Sequence, residues 1–196
     1  MQMKNLYLAF LIVLFQSSTV NASLYDFTFS ITGSGNPTMT LENSGDALIS
    51  ALYISIGDNN YNFDSSTVTS STGIDYSLVI PDTNSNGGIR SDEIRFTFTD
   101  FGNNEKFRFT GEIDIDNANT SEIWHVIMIN NGALPNSILS VDFADHHHVD
   151  LTLPDAPVPI NDYSVSYQAD LATPLPASAL LLGSVLSGLI ILRRKK

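Results

Sequence analysis

The chain has 196 residues, contains no cysteine and carries a formal net charge of −12 at pH 7. This acidic balance argues against nucleic acid as a partner, because nucleic-acid phosphates require a basic surface. The lack of cysteine excludes a disulfide framework, so packing or a bound ion would have to stabilise any domain that works outside the cell.

Residues 1–22 have the features of a secretory signal peptide. Lys4 supplies a positive charge at the start, and residues 6–15 form an apolar run that is too short to span a bilayer. Val20 and Ala22 are small residues at the two positions that a signal peptidase reads, so we expect cleavage after Ala22. The sequence therefore predicts export, with signal peptidase as the first partner.

Residues 23–167 are predicted to form one extracellular domain, since roughly 150 residues is an ordinary domain size. All twenty-one acidic residues of the chain lie between Ser23 and Thr173, together with only four of the nine basic residues. The net charge of this stretch is therefore −17, which favours solubility and attracts cations.

Apolar and polar side chains alternate with a period of two in this domain, most clearly in residues 25–31, 94–98 and 107–109. Polar turns such as residues 33–37 and 43–46 separate the apolar runs. The pattern predicts an all-β fold, a single antiparallel β-sandwich, with no helix between Ala22 and Pro174. Further strands are predicted in the apolar runs at residues 78–80, 123–129, 138–143, 149–153 and 163–167.

Residues 82–93 fit the calcium-loop pattern Asp-x-Asx-x-Asx-Gly-x5-Glu. Calcium prefers about six to eight oxygen ligands. The predicted ligands are the side chains of Asp82, Asn84, Asn86 and Glu93 and the backbone carbonyl of Gly88. The flanking residues look like strands, so calcium would bind a loop between strands rather than a helix–loop–helix unit. The alternative is a polar hairpin loop that needs no ion.

Three weaker polar clusters accompany this loop. Residues 58–64 and 114–119 could add carboxylates to an ion, although a solvated turn is the preferred interpretation of each. The run His146-His147-His148 suggests a transition metal. In a strand only His146 and His148 would share a face, so a polar strand edge is the alternative interpretation.

No nucleophile–base signature, Gly-x-Ser-x-Gly motif or phosphate-binding glycine loop is present in the sequence, which favours a non-enzymatic protein. Tyr61 and Phe63 lie in a stretch that reads as a polar loop, where aromatic rings could stack on sugars. A calcium-dependent carbohydrate-binding module, anchored by a single-pass helix, is therefore the alternative function.

Residues 168–173 are predicted to be a short linker, and residues 174–196 a membrane segment with a basic end. The eighteen residues from Leu175 to Leu192 are uncharged. As a helix they would measure about 27 Å, close to the roughly 30 Å hydrocarbon core of a bilayer. The basic run that follows should remain cytoplasmic. It consists of Arg193, Arg194, Lys195 and Lys196.

The proline motif Pro174-Leu175-Pro176-Ala177, the apolar helix and the basic run together resemble the PEP-CTERM sorting signal of Gram-negative bacteria. Leu175 replaces the usual glutamate, as in the Val-Pro-Leu-Pro-Ala variant, and Thr173 stands in place of the valine. The resemblance implies that an exosortase-type membrane protease removes the tail. It also implies a final location at the cell surface or in the exopolysaccharide matrix of a biofilm, after transient residence in the inner membrane.

Two further likenesses are weaker. Residues 95–101 and 111–116 are loosely similar to extracellular domains that precede such tails, which implies a surface or matrix role. Residues 175–179 also resemble the Leu-Pro-x-Thr-Gly signal of cell-wall sortases, but here the apolar run begins inside the motif. The exosortase interpretation is therefore preferred. Extracellular polysaccharide is the expected partner in either location.

Overall fold

The structure, a computed structural model, describes residues 23–58, 60–71, 73–79, 92–115, 123–129, 135–157 and 160–171. These residues form ten strands and one short helix. The strands are β1 (Ser23–Thr32), β2 (Thr38–Asn43), β3 (Ile49–Ser55), β4 (Tyr61–Ser70), β5 (Asp75–Val79), β6 (Glu93–Phe101), β7 (Glu105–Ile115), β8 (Ile138–Phe143), β9 (His148–Thr152) and β10 (Asp162–Leu171), and the helix is α1 (Trp124–Met128). The predicted signal peptide and sorting tail lie outside the described residues.

The strands form two five-stranded sheets, in the orders β10-β1-β2-β7-β4 and β5-β6-β3-β8-β9. The described ladders within each sheet are antiparallel. The prediction of an all-β fold with antiparallel sheets is therefore confirmed. Nearly all described residues belong to one compact unit, Leu24–Asp170. Within the described part of the chain, no helix has the length and apolar character needed to cross a membrane.

Aromatic side chains from the two sheets meet in the core between them. The ring of Phe96 in β6 lies 4.9 Å from that of Phe107 and 4.7 Å from that of Phe109, both in β7. Farther along, Phe27 in β1 and Phe143 in β8 have ring centroids 6.3 Å apart. Each buried phenylalanine stabilises the fold by about 1.5–3 kcal/mol relative to an exposed one. The alternation read from the sequence thus places one face of each sheet in the core.

A fully buried asparagine joins the two sheets. Asn43, the last residue of β2, donates from Nδ2 to the carbonyl oxygens of Ala47 at 2.9 Å and of Phe101, in β6, at 3.1 Å. Its Oδ1 accepts a hydrogen bond from the backbone nitrogen of Gly45 at 3.0 Å. Because these contacts satisfy both ends of the amide, Asn43 can be buried without the desolvation penalty of an unpaired polar group.

Gly45 is required by the same turn. A Cβ atom at this position would lie 2.3 Å from the carbonyl oxygen of Leu24 and 2.6 Å from the backbone nitrogen of Asp26. Both contacts are to backbone, so a side chain could be accommodated only if β1 moved. The turn after β2 is therefore packed directly on the first strand.

Helix α1 overturns one sequence prediction, because residues 123–129 were expected to form a strand. Trp124, Ile127 and Met128 are buried, while Ile123 and Val126 are exposed. This spacing is that of a helix, but a run with apolar residues at nearly every position does not reveal its period. The indole Nε1 of Trp124 donates to the carbonyl oxygen of Gly33 at 2.7 Å, which fixes the helix in place.

The last strand also differs from the prediction, because β10 continues to Leu171 instead of ending at Tyr167. Residues 168–171 were expected to belong to a linker. Instead, Gln168 Nε2 donates to Asp26 Oδ2 at 3.1 Å, and the hydroxyls of Ser166 and Thr28 are 2.9 Å apart. These contacts pair the end of β10 with the start of β1, so the first and last strands are neighbours running in opposite directions.

Candidate functional site

An acidic cavity lies where β3 ends and β6 begins. Ser55, the last residue of β3, is paired with Glu93, the first residue of β6. The backbone nitrogen of Ile56 extends this pairing by donating to the carbonyl oxygen of Asp92 at 2.9 Å. The cavity measures about 420 Å³, and its described lining residues are Ser55, Gly57, Asp58, Asp92 and Glu93. Two segments far apart in sequence therefore supply the three carboxylates.

Gly57 determines the direction of the chain as it leaves β3. Its φ of +81° lies in the left-handed region that favours glycine. A Cβ here would also lie 3.1 Å from the carbonyl oxygens of Pro135 and Asn136. The turn therefore packs closely on residues 135–136, and the next residue in the chain is Asp58.

Asp58 is only 5 % exposed, which is unusual for an aspartate. Its Oδ1 accepts hydrogen bonds from the backbone nitrogen of Asn60 at 3.0 Å and from the Asn60 Nδ2 at 2.7 Å. Its Oδ2 is buried and has no hydrogen-bond partner among the described residues. No described lysine, arginine or histidine forms an ion pair with it either. Half of this carboxylate is thus held in place, and half lacks a compensating group.

The chemistry of the cavity is that of a hard-cation site, because carboxylate, hydroxyl and carbonyl oxygens are the ligands that Ca²⁺ and Mg²⁺ prefer. Asp92 and Glu93 are both exposed at the cavity's rim. Across the described ranges, no group of three or more acidic, histidine or cysteine residues is arranged to hold a metal by itself. A cation here would therefore retain several water ligands.

Of the sequence-predicted calcium ligands, only Glu93 lies among the residues that the structure describes. Asp82, Asn84, Asn86 and Gly88 lie outside the described residues, so the loop itself stays a prediction. Glu93, the last predicted ligand, lines the cavity. Asp58 belongs to one of the weaker polar clusters of the sequence, and Asp92 is not a ligand position of the calcium-loop pattern. Their proximity depends on the pairing of β3 with β6, for which a single sequence carries no local signal.

The predicted sugar-stacking residues are not in a loop, because Tyr61 and Phe63 belong to β4. Phe63 is fully buried and pairs with Ile113 of β7, so its proposed role in stacking is wrong. Tyr61 is half-buried and packs against the core. The asparagines around these residues suggested a loop. Strand pairing and burial of the phenyl ring outweigh that local preference.

Of the three histidines, His148 at the start of β9 forms ion pairs, which fits a polar strand edge rather than a shared metal position. His148 Nδ1 lies 2.5 Å from Asp142 Oδ1, and its Nε2 lies 3.0 Å from Asp150 Oδ1, so carboxylates engage both ring nitrogens. The hydrogen bond to Asp142, and then that to Asp150, raises the pKa of His148. A hydrogen bond from the Ser140 hydroxyl, and then the His148 contact, lowers the pKa of Asp150. His146 sits in the preceding turn, with a φ of 71°.

No protein-family model, curated protein or solved structure significantly matches the chain. The interpretation of the site therefore depends on its own geometry.

Proposed function

We propose that the chain is an exported, non-enzymatic protein of the cell surface or exopolysaccharide matrix of a Gram-negative bacterium. The observation that carries this proposal is the C-terminal segment, in which a proline motif, an apolar run and four basic residues follow one another. The motif is Pro174-Leu175-Pro176-Ala177, and the basic residues are Arg193 to Lys196. Its likeness to a PEP-CTERM sorting signal gives the proposed route.

Along that route, signal peptidase removes residues 1–22, and the apolar segment then holds the protein in the inner membrane. The basic residues 193–196 stay in the cytoplasm because cations are retained on that side. An exosortase-type protease cuts near the proline motif and releases the β domain. The domain then resides at the surface or in the matrix, where extracellular polysaccharide surrounds it.

The properties of the described domain support this destination. Its core and the buried Asn43 contacts stabilise two sheets in a chain that has no cysteine. The −17 charge of the surrounding stretch keeps the domain soluble and repels other anionic polymers unless cations bridge them. A non-enzymatic role is preferred because the sequence carries no nucleophile–base signature.

Calcium-dependent carbohydrate binding is the second candidate function. The acidic cavity at Asp58 and Glu93 favours it, because a bound cation can share its ligand shell with sugar hydroxyls. Burial of Phe63 weakens it, since ring stacking would then depend on Tyr61 alone. Binding to a glycan array that disappears on addition of a chelator would support this candidate.

The proposed route predicts the termini of the secreted protein. We would express the full chain in a Gram-negative host that carries an exosortase-type protease, and measure the intact mass of the secreted form. The expected product begins at Ser23 and ends within residues 174–177. Replacing Pro174 and Pro176 with alanine should leave the chain in the membrane fraction. The control, Pro157→Ala in an exposed loop, should be processed normally. A secreted form that retains Lys196 would disprove the proposal.

A further inference from the structure

We propose that the cavity between β3 and β6 binds a hydrated Ca²⁺ ion, with Asp58 as its direct carboxylate ligand and with Asp92 and Glu93 at its rim. The inference goes beyond the proposed function. It depends neither on the sorting route nor on carbohydrate, and it assigns a cation ligand outside the motif at residues 82–93.

The first argument is the state of the Asp58 carboxylate. Removing a carboxylate oxygen from water without a partner is strongly unfavourable, so buried carboxylates are normally paired or bound to a metal. Asp58 Oδ2 has neither a hydrogen bond nor an ion pair among the described residues, although Asp58 lines a cavity. Meanwhile Oδ1 is fixed by two hydrogen bonds from Asn60. A cation that reaches the remaining oxygen would compensate it, and the Asn60 hydrogen bonds already fix the orientation of the carboxylate.

The second argument is the convergence of charge. The ladder that places Ser55 opposite Glu93, and the Ile56–Asp92 hydrogen bond beyond it, bring Asp92 and Glu93 to the cavity that Asp58 lines. A divalent cation is attracted to carboxylates that line one cavity. Strand register places Glu93, and the closely packed Gly57 turn precedes Asp58, so the fold sets both positions.

The third argument selects the ion. The described lining residues offer only oxygen ligands, which suit Ca²⁺ and Mg²⁺ better than zinc or copper. A cavity of about 420 Å³ holds an ion with several waters, each of which occupies roughly 30 Å³. Calcium tolerates an irregular shell, whereas magnesium requires near-ideal octahedral geometry. With few protein ligands, the dissociation constant should be about 10⁻⁴–10⁻³ M, as in other extracellular calcium modules.

The test is thermal unfolding and calorimetric titration of the full chain in detergent micelles, with CaCl₂, MgCl₂ or a chelator. A ligand at ten times its dissociation constant should raise the midpoint temperature by about 3–5 °C. We expect this shift with calcium and a smaller one with magnesium. Asp58→Asn should abolish the shift without impairing folding, because the amide oxygen still accepts the Asn60 hydrogen bonds.

Two further variants keep the result decisive. The double variant Asp92→Asn/Glu93→Gln changes only exposed side chains and should weaken calcium binding at least tenfold, even if Asp58→Asn folds poorly. Asp75→Asn is the matched control, because Asp75 is exposed and pairs with Thr99, at the other end of β6. Its calcium response should equal that of the unmodified protein.

Three outcomes would overturn the proposal: no calcium response in the unmodified chain, a full response in Asp58→Asn, or an equal response to any salt. A response that survives Asp58→Asn but is lost in Asp82→Asn would place calcium in the loop of the sequence motif instead.

Discussion

Asn43, at the end of β2, and Asp58, in the turn after β3, are both buried polar residues, yet their surroundings differ. The Asn43 amide makes three hydrogen bonds that connect β2, the following turn and β6. The Asp58 carboxylate has one oxygen bonded to Asn60 and the other without a partner among the described residues. An amide whose donors and acceptor are all hydrogen-bonded stabilises the fold. A half-saturated carboxylate beside a cavity is the observation on which the proposed calcium site rests.

The largest effect should come from the turn that carries the Asn43 contacts. Gly45→Ala would place a methyl group against the backbone of Leu24 and Asp26, so β1 must move or the turn must open. We expect a loss of more than about 3 kcal/mol of unfolding free energy, or failure to fold. Gly35→Ala is the matched control, because a Cβ there has no neighbour within 4 Å. Urea unfolding monitored by circular dichroism would measure both. A stable Gly45→Ala protein would contradict the described packing.

Asn43→Ala should have the next largest effect. It leaves the carbonyls of Ala47 and Phe101 and the amide of Gly45 without their partner, at a cost of about 2–4 kcal/mol. The exposed Asn103, whose side-chain hydrogen bond to Asp46 measures 3.3 Å, is the control, and Asn103→Ala should change stability by less than about 0.5 kcal/mol. The same unfolding assay applies. Equal losses of stability in Asn43→Ala and Asn103→Ala would show that the buried Asn43 hydrogen bonds add nothing to the stability of the fold.

Unlike Asn43→Ala, Asp58→Asn should not lower the free energy of unfolding when calcium is absent. Replacing a buried carboxylate whose Oδ2 has no partner among the described residues should leave stability unchanged or raise it by about 1 kcal/mol. The measurement is urea unfolding in the presence of a chelator, beside Asn43→Asp, which should be strongly destabilising. If Asp58→Asn loses as much stability as Asn43→Ala, then Asp58 is a structural residue and the comparison fails.

The smallest effect is expected at His148, whose side chain is 51 % exposed. Its pKa is raised in the folded state, so its stabilising contribution is fully present below pH 6.5 and is lost as the pH rises through the folded pKa. Solvent screening limits the gain to less than about 1 kcal/mol. His148→Asn should therefore lower stability at pH 5.5 and have almost no effect at pH 8.5. His146→Asn serves as the control. If His148→Asn loses the same stability at both pH values, the ion pairs of His148 do not stabilise the fold.

The sequence predicted the fold better than the site. Alternation placed Tyr25, Phe27, Phe29 and Ile31 in the core correctly, because a half-buried strand has apolar side chains at every second residue. It failed where the local signal was ambiguous. Residues 123–129 are apolar at almost every position, so their period cannot be read. Phe63 is surrounded by polar residues that are typical of a loop, although it lies in a strand.

The site could not be derived in the same way, because it arises from long-range pairing. Asp58 and Glu93 are separated by a stretch of chain that includes β4 and β5, and only the β3–β6 ladder brings them to one cavity. Asn43 was missed for the same reason, since its partner Phe101 belongs to the opposite sheet. An asparagine in a turn-like sequence gives no sign that it will be buried.

The adjacency of β1 and β10 has a consequence for the order in which the molecule can be completed. A chain that emerges from a ribosome or a translocation channel delivers β1 first and β10 last. Until residue 171 is released, β1 has only β2 beside it and exposes an open hydrogen-bonding edge. That edge closes only when β10 pairs with β1, and contacts between residues so far apart in the sequence slow folding. Chaperone binding should therefore concentrate on the interval between the appearance of the first strand and the arrival of the last.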